Sequence, residues 1–259
     1  VTLALNNLII NHASANINLK GILTVAGDLT ITAGELDTDS SDYALTVTGK
    51  TTLGPNSGGA DQGTLTCNAS DVSLGSGKTD GLGLHVQQGG TFVGGSGTHT
   101  MGSLGVDNNA AAKFTNTSGT NTLNGHSNDS TRVIIGGGLS TCTAAGTITI
   151  TYAGGAYNFQ NGNAALINNL TLNSNVTANL SAATLITGNL TISQGTLTTT
   201  GSNYALTVTG KTTIGDASHG SEDQATLTCN ASAMSLGAGY AGDNGIVMLA
   251  GGTFVGGSA

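Results

Sequence analysis

The sequence predicts an all-β chain folded as a parallel β-solenoid, a β-helix of short strands and Gly-rich turns. Three observations lead there. First, the chain repeats itself: residues 43–50 (YALTVTGK) return letter for letter at 204–211, residues 64–70 (TLTCNAS) at 226–232, and residues 89–96 (GGTFVGGS) at 251–258. The offset is the same at the second and third pairs and shorter by a single position at the first. Second, apolar residues alternate with Thr at period two in short runs separated by turn residues, the pattern of half-buried strands. Third, the composition suits a thin stacked core. Of 259 residues only 8% are charged and 3% aromatic, Trp is absent, and there are 42 Gly. Such a chain cannot fill a thick globular interior, but coils that each bury a few aliphatic residues can stack into one.

Taken in order, Leu-Thr-apolar triplets stand at 23–25, 29–31, 45–47 and 65–67, and again at 170–172, 190–192, 206–208 and 227–229. The flanking apolar residues point inward and the central Thr faces out, where its branched Cβ suits a pleated surface. Gly, Asn, Asp and Ser between the triplets supply turns, many through positive φ. Leu29, Leu45 and Leu65 are nearly evenly spaced, and their counterparts Leu190, Leu206 and Leu227 keep almost the same intervals. Read as successive turns of a solenoid, they imply one coil per roughly 16–21 residues. A repeat would hold about eight coils and extend roughly 40 Å at the ordinary strand spacing. The rival architecture is tandem β-sandwich beads, to which the hairpin-like Asn124-Gly125 and Asn161-Gly162 pairs point. Very short strands and the lack of aromatic core anchors favour the solenoid.

Two units follow. Residues 1–167 hold the first repeat, which begins at about Asn6 and is about 162 residues long, and residues 168–259 hold a partial second copy. Asn6-Asn7-Leu8 matches Asn168-Asn169-Leu170. The chain starts at Val1 and stops in mid-repeat at Ala259, so it reads as an excised piece of a longer repetitive polypeptide.

Duplication also tests chemistry, because a working residue shared by both units should recur. Of the histidines His12, His85, His99, His126 and His219, none recurs: His12 aligns with Ser174 and His85 with Val247. They read as surface or loop residues rather than ligands or bases. Glycoside cleavage needs two carboxylates about 5–10 Å apart on one sugar. Yet Glu35, Asp37, Asp39 and Asp42 become Thr196, Thr198, Thr200 and Asn203 in the second copy. Only Asp61-Gln62 is kept, as Asp223-Gln224, and it reads as a turn-stabilising residue. Gly58-Gly59-Ala60-Asp61 resembles a calcium-binding repeat only in part, and its copy Gly220-Ser221-Glu222-Asp223 departs further. The glycine strings at 136–138 and 89–90 lack the Lys and following helix of a phosphate loop. Cys67 and Cys229 occupy matching positions and read as small core hydrophobes; with Cys142 the count is odd and no C-x-x-C occurs. No catalytic, cofactor-binding or metal residue is assigned.

Net charge is −8, and the six cations, Lys20, Lys50, Lys78, Lys113, Arg132 and Lys211, are scattered singly. Nucleic-acid binding is not expected, since phosphate neutralisation needs clustered cations. No apolar run approaches the about 20 residues of a membrane-spanning helix. Regular outward Thr suggests ice binding as a further option, which the variable coil length weighs against.

Residues 27–36 (GDLTITAGEL), 188–197 (GNLTISQGTL) and 97–108 (GTHTMGSLGVDN) resemble repetitive β-solenoid fibre and surface structural proteins of marine phages and environmental viruses, and are also similar to filamentous-haemagglutinin-like adhesins. The resemblance spans nearly the whole chain and carries no catalytic residues over. It implies a non-enzymatic structural fibre or surface protein, an elongated rod located outside the cell or on the virion surface. Self-association into a homo-oligomer or filament is expected, a trimer being one form, with a cell-surface glycan or receptor as a further partner. The alternatives are the stalk of a secreted bacterial or archaeal adhesin or matrix protein and, less favoured, a polysaccharide-cleaving β-helix enzyme.

Overall fold

The computed structural model describes residues 1–39, 41–57, 62–78, 81–126, 132–161, 163, 165–199, 201–217, 224–239, 241–242 and 245–257, without the side chains of Arg132 and Ile135. Asp61, Asp223, His219, Thr200, Gly162, Ala259 and the Gly-rich stretches 58–60 and 220–222 lie outside the described residues. Within them the chain is all-β: 27 short strands and no helix. Twenty-four join one sheet and three form a second. Every pairing is parallel, as a solenoid requires and sandwich beads forbid.

The chain winds around three faces. In the first coil Thr2–Leu5 lies on the first face, residues 8–10 on the second and residues 16–18 on the third; Ile22–Val25 then returns to stack on Thr2–Leu5. The first face continues unbroken through eleven levels. Its inward column runs Leu3, Leu23, Leu45, Val72, His99, Asn121, Ile148, Leu170, Leu190, Thr212 and Ile246. At a strand spacing of about 4.8 Å this face is roughly 50 Å long.

Coils are longer and fewer than the triplet spacing suggested. Leu3 stacks beneath Leu23, Leu45 beneath Val72 and Thr212 beneath Ile246, so even the shortest of these turns nearly reaches the upper limit read from the triplets. Leu29, Leu45 and Leu65 lie on the second, first and third faces, so their spacing measured fractions of a coil. The repeat is not a whole number of coils either. Leu8 lies on the second face of the first level, and its copy Leu170 on the first face of the eighth. One repeat therefore spans six and two-thirds coils, about 32 Å instead of about 40 Å. Each strand type moves back by one face between copies. Residues 45–47, on the first face, recur at Leu206–Val208, which belongs to the separate three-stranded sheet. That sheet carries the third face onward from Thr141–Thr143. Between them the described residues 163 and 165–167 form no strand, and there Asn163 Nδ2 donates to the Ser140 carbonyl and Thr187 N–H donates to that of Ile167.

The core is the sum of the inward columns. Leu36, Leu65, Phe92 and Phe114 stack on the third face and are fully buried, each aliphatic side chain contributing about 1.5–3 kcal/mol. Cys67 points inward as its triplet predicts, and all three cysteines are free thiols.

Corners are held by backbone geometry and by side chains that reach to the next coil. Gly34, with φ 92°, bends the strand Leu29–Asp37 from the second face to the third, and Gly195 (φ 79°) bends its copy Leu190–Thr198 from the first face to the second. A Cβ on Gly34 would stand 2.6 Å from the His12 carbonyl oxygen. At another corner Asn7 Oδ1 accepts the Asp28 N–H at 2.8 Å, and Asp28 Oδ1 accepts that of Lys50 at 2.7 Å. Asn169, Asn189 and Lys211 repeat the ladder at 2.9 and 2.8 Å. Gly49 sits where its Cβ would fall 2.2 Å from Asp28 Oδ1 and 2.5 Å from the Gly27 carbonyl oxygen. Gly49→Ala should therefore cost about 2–4 kcal/mol in urea unfolding, through the displaced acceptor and a backbone clash. Asp28→Asn should change stability by less than about 0.5 kcal/mol, because Asn189 does the same work in the second copy.

Candidate functional site

The carboxylates singled out from sequence are brought together on the third face, but as parts of the frame. Glu35 and Asp37 flank the inward Leu36 and so project from the same side, roughly 7 Å apart. That separation suits two-carboxylate chemistry. Their oxygens are engaged elsewhere: Glu35 Oε1 accepts the Thr66 hydroxyl at 2.7 Å, while Asp37 Oδ1 accepts the Asp39 N–H at 2.7 Å and Asn68 Nδ2 at 2.6 Å. Asp39 pairs with Lys20. Asp42 Oδ1 accepts the Ala69 N–H at 3.0 Å, and Asp71 Oδ1 that of Thr98 at 3.1 Å. Asp42 has φ 52° and its copy Asn203 has φ 55°, so acid and amide are exchanged at one left-handed corner.

A groove of about 350 Å³ runs beside Glu35, lined by Ser14, Asn16, Gln62 and Thr64. Among the described residues that line it, Glu35 is the one carboxylate, and none has an aromatic ring to stack on a sugar. Among the described residues no three His, Cys, Asp or Glu side chains gather in a way that could hold a metal ion.

His85 and His99 lie on strands, and His99 is not the surface or loop residue of the sequence reading. His85 projects from the strand Leu84–Val86 on the second face, with Nε2 2.8 Å from Asp107 Oδ1 one coil on. Burial pushes its pKa down, and Asp107 opposes that effect. Its other nitrogen, Nδ1, is buried without a hydrogen-bond partner, which leaves no open face from which to take a proton. His99 lies wholly inside the core. The signal for both was available: Leu84-x-Val86 places His85 outward on a strand, and His99 opens a three-residue strand closed by the buried Met101. Of the remaining described histidines, His12 Nδ1 accepts the Ser14 N–H at 3.3 Å and His126 packs edge-on against Tyr152 at 4.9 Å.

The most regular surface is the first face. Its outward column reads Thr24, Thr46, Ser73, Thr100, Thr122, Thr149, Thr171, Thr191 and Thr213, nine hydroxyl residues on nine successive levels. At about 4.8 Å per level the row is roughly 38 Å long. All nine are half-buried, and none of their hydroxyls hydrogen-bonds to another described residue. The row crosses the copy boundary without a break, although the strand type beneath it changes there. Thr98, Thr120 and Thr147 add a second outward position just before Thr100, Thr122 and Thr149. Variation in coil length is absorbed at the corners and leaves this spacing intact.

No family model, curated protein or solved structure matches the chain.

Proposed function

We propose that this chain is a rod segment of an extracellular or virion-surface fibre, with a mechanical role and no catalysis. The carrying observation is that its acids and amides serve as acceptors for the backbone N–H groups of the next coil, in both copies at the Asn7–Asp28 and Asn169–Asn189 ladders. Polar residues used in this way fix coil on coil and give stiffness. The resemblance of residues 27–36 and 188–197 to phage fibre repeats favours a virion; an adhesin stalk is the competing setting. Self-association into a homo-oligomer or filament belongs to this reading. Sedimentation velocity should reveal an elongated particle whose mass rises with concentration. A compact monomer at every concentration would defeat the proposal, as would release of reducing ends from a polysaccharide panel.

A second reading rests on the nine-member hydroxyl row, whose even spacing answers the objection from coil length. Free hydroxyls on a regular grid can order water in register with ice. Labelled protein should then adsorb to a growing ice surface, and replacing Thr100, Thr122 and Thr149 together with Tyr should abolish adsorption. Exclusion of the unmodified protein from ice would end this reading and leave the rod proposal standing.

A further inference from the structure

The inward column of the first face is aliphatic at Leu23, Leu45 and Val72, then polar at His99 and Asn121, then aliphatic again at Ile148, Leu170 and Leu190. His99 and Asn121 are stacked partners on adjacent coils, both fully buried. Both ring nitrogens of His99 and Oδ1 of Asn121 lack hydrogen-bond partners. Asn121 Nδ2 is held by Asn116 Oδ1 at 3.1 Å, with Met101 Sδ at 3.6 Å, and Asn116 Nδ2 donates to the Ala145 carbonyl at 3.0 Å. The Phe92 ring meets His99 edge-on at 5.7 Å and is itself stacked on Phe114 at 5.3 Å. A buried polar layer with orphaned atoms is a costly place in any core.

We propose that this layer is an acid-sensitive break point in the rod: a proton on His99 places a cation in the core and uncouples the coil at 99–101 from those at 72–74 and 120–123. No carboxylate is paired with the ring to receive that charge. On the strand below, Val72–Leu74 carries no acid, and Asp71 just before it holds the Thr98 N–H. The strands Thr120–Leu123 above and Gly90–Val93 alongside have no titratable group. The one charged residue on the neighbouring strand Lys113–Thr115 is Lys113, an exposed cation. The acceptors at hand, Asn121 Oδ1 and the Gly94 backbone, are both neutral.

Burial lowers the His99 pKa from 6.5 to about 4, with the charge of Asp71 and a hydrogen bond from the protonated ring to the Gly94 backbone acting in the opposite direction. A depressed folded-state pKa means that the opened coil takes up the proton first. Stability of this layer is therefore intact above pH 6.5, declines as pH falls, and is fully lost below the folded value. Between pH 7.5 and 5.0 the opening equilibrium should rise roughly thirtyfold.

Hydrogen exchange of the whole chain at the two pH values, corrected for intrinsic rates, tests this. Protection across 72–74, 99–101 and 120–123 should fall by at least tenfold at pH 5.0, while residues 190–192 and 212–214 hold. His99→Leu should remove the pH dependence. An unchanged pattern in the unmodified protein, or the same loss in His99→Leu, overturns the proposal. Should His99→Leu not fold, NMR titration of the His99 ring in the unmodified chain decides: a pKa below 5 supports the break point, and a value of 6 or higher refutes it.

Discussion

Phe92→Ala should destabilise the chain by about 3–5 kcal/mol, and Phe254→Ala by about 1 kcal/mol or less. The two positions are copies, both the third residue of a Gly-Thr-Phe-Val strand. Phe92 is fully buried between Leu65 below and Phe114 above, with the ring of Phe114 inclined 11° to its own. Truncation there removes the transfer energy of a ring and leaves a cavity that stacked coils cannot collapse around without losing register. Phe254 packs on Leu227 on one side only and is 42% exposed. The comparison separates what the residue is from where the coil lies. Urea unfolding of both variants measures it, and equal losses would mean that the coil carrying Phe254 is covered in solution.

Removing residues 24–45 should leave a more stable protein than removing residues 46–67, although the two deletions are equal in length. Leu23 and Leu45 are stacked partners, so the first deletion excises one closed coil and joins two levels that share a register. Asn7 Oδ1 would then meet the Lys50 N–H in place of Asp28. Leu45 stacks instead beneath Val72, so the second deletion stops short of that turn and leaves residues 68–71 to lengthen the corner ahead of Val72. That enlarged corner adds closure entropy and loses the Cys67 carbonyl to which Thr38 Oγ1 donates at 2.8 Å. Circular dichroism and thermal unfolding should show native β-sheet and one transition, lowered by no more than roughly 10 °C, for the first variant. The second should melt below the first, and equal melting temperatures would show that the corner carries no stability.

The strands were legible in the sequence because local alternation writes them: Leu45-Thr46-Val47 and Leu206-Thr207-Val208 are strands where the triplets placed them. The coil length was not legible. Corner segments differ in length, so the triplets at 29, 45 and 65 gave an even spacing while belonging to three faces. Recurring glycines also marked real corners, since Gly34 and Gly195 share a positive φ. The roles of the acids were half visible. Exchange of Asp28 for Asn189 and of Asp42 for Asn203 already indicated an acceptor rather than a charge, but which N–H donates the bond depends on the coil stacking. His99 misled because an unpaired imidazole breaks the apolar rule for inward positions, and only the pairing with Val72 and Asn121 reveals its place.

The fractional coil count turns duplication into a screw. Wherever such copies follow one another along a chain, any ornament borne by one would point about 120° away from its twin, and a third would complete the circle. Three copies make about 20 coils, roughly 95 Å, before the same motif looks in the same direction again. A rod decorated in this way could meet partners from all sides while encoding only a single decoration.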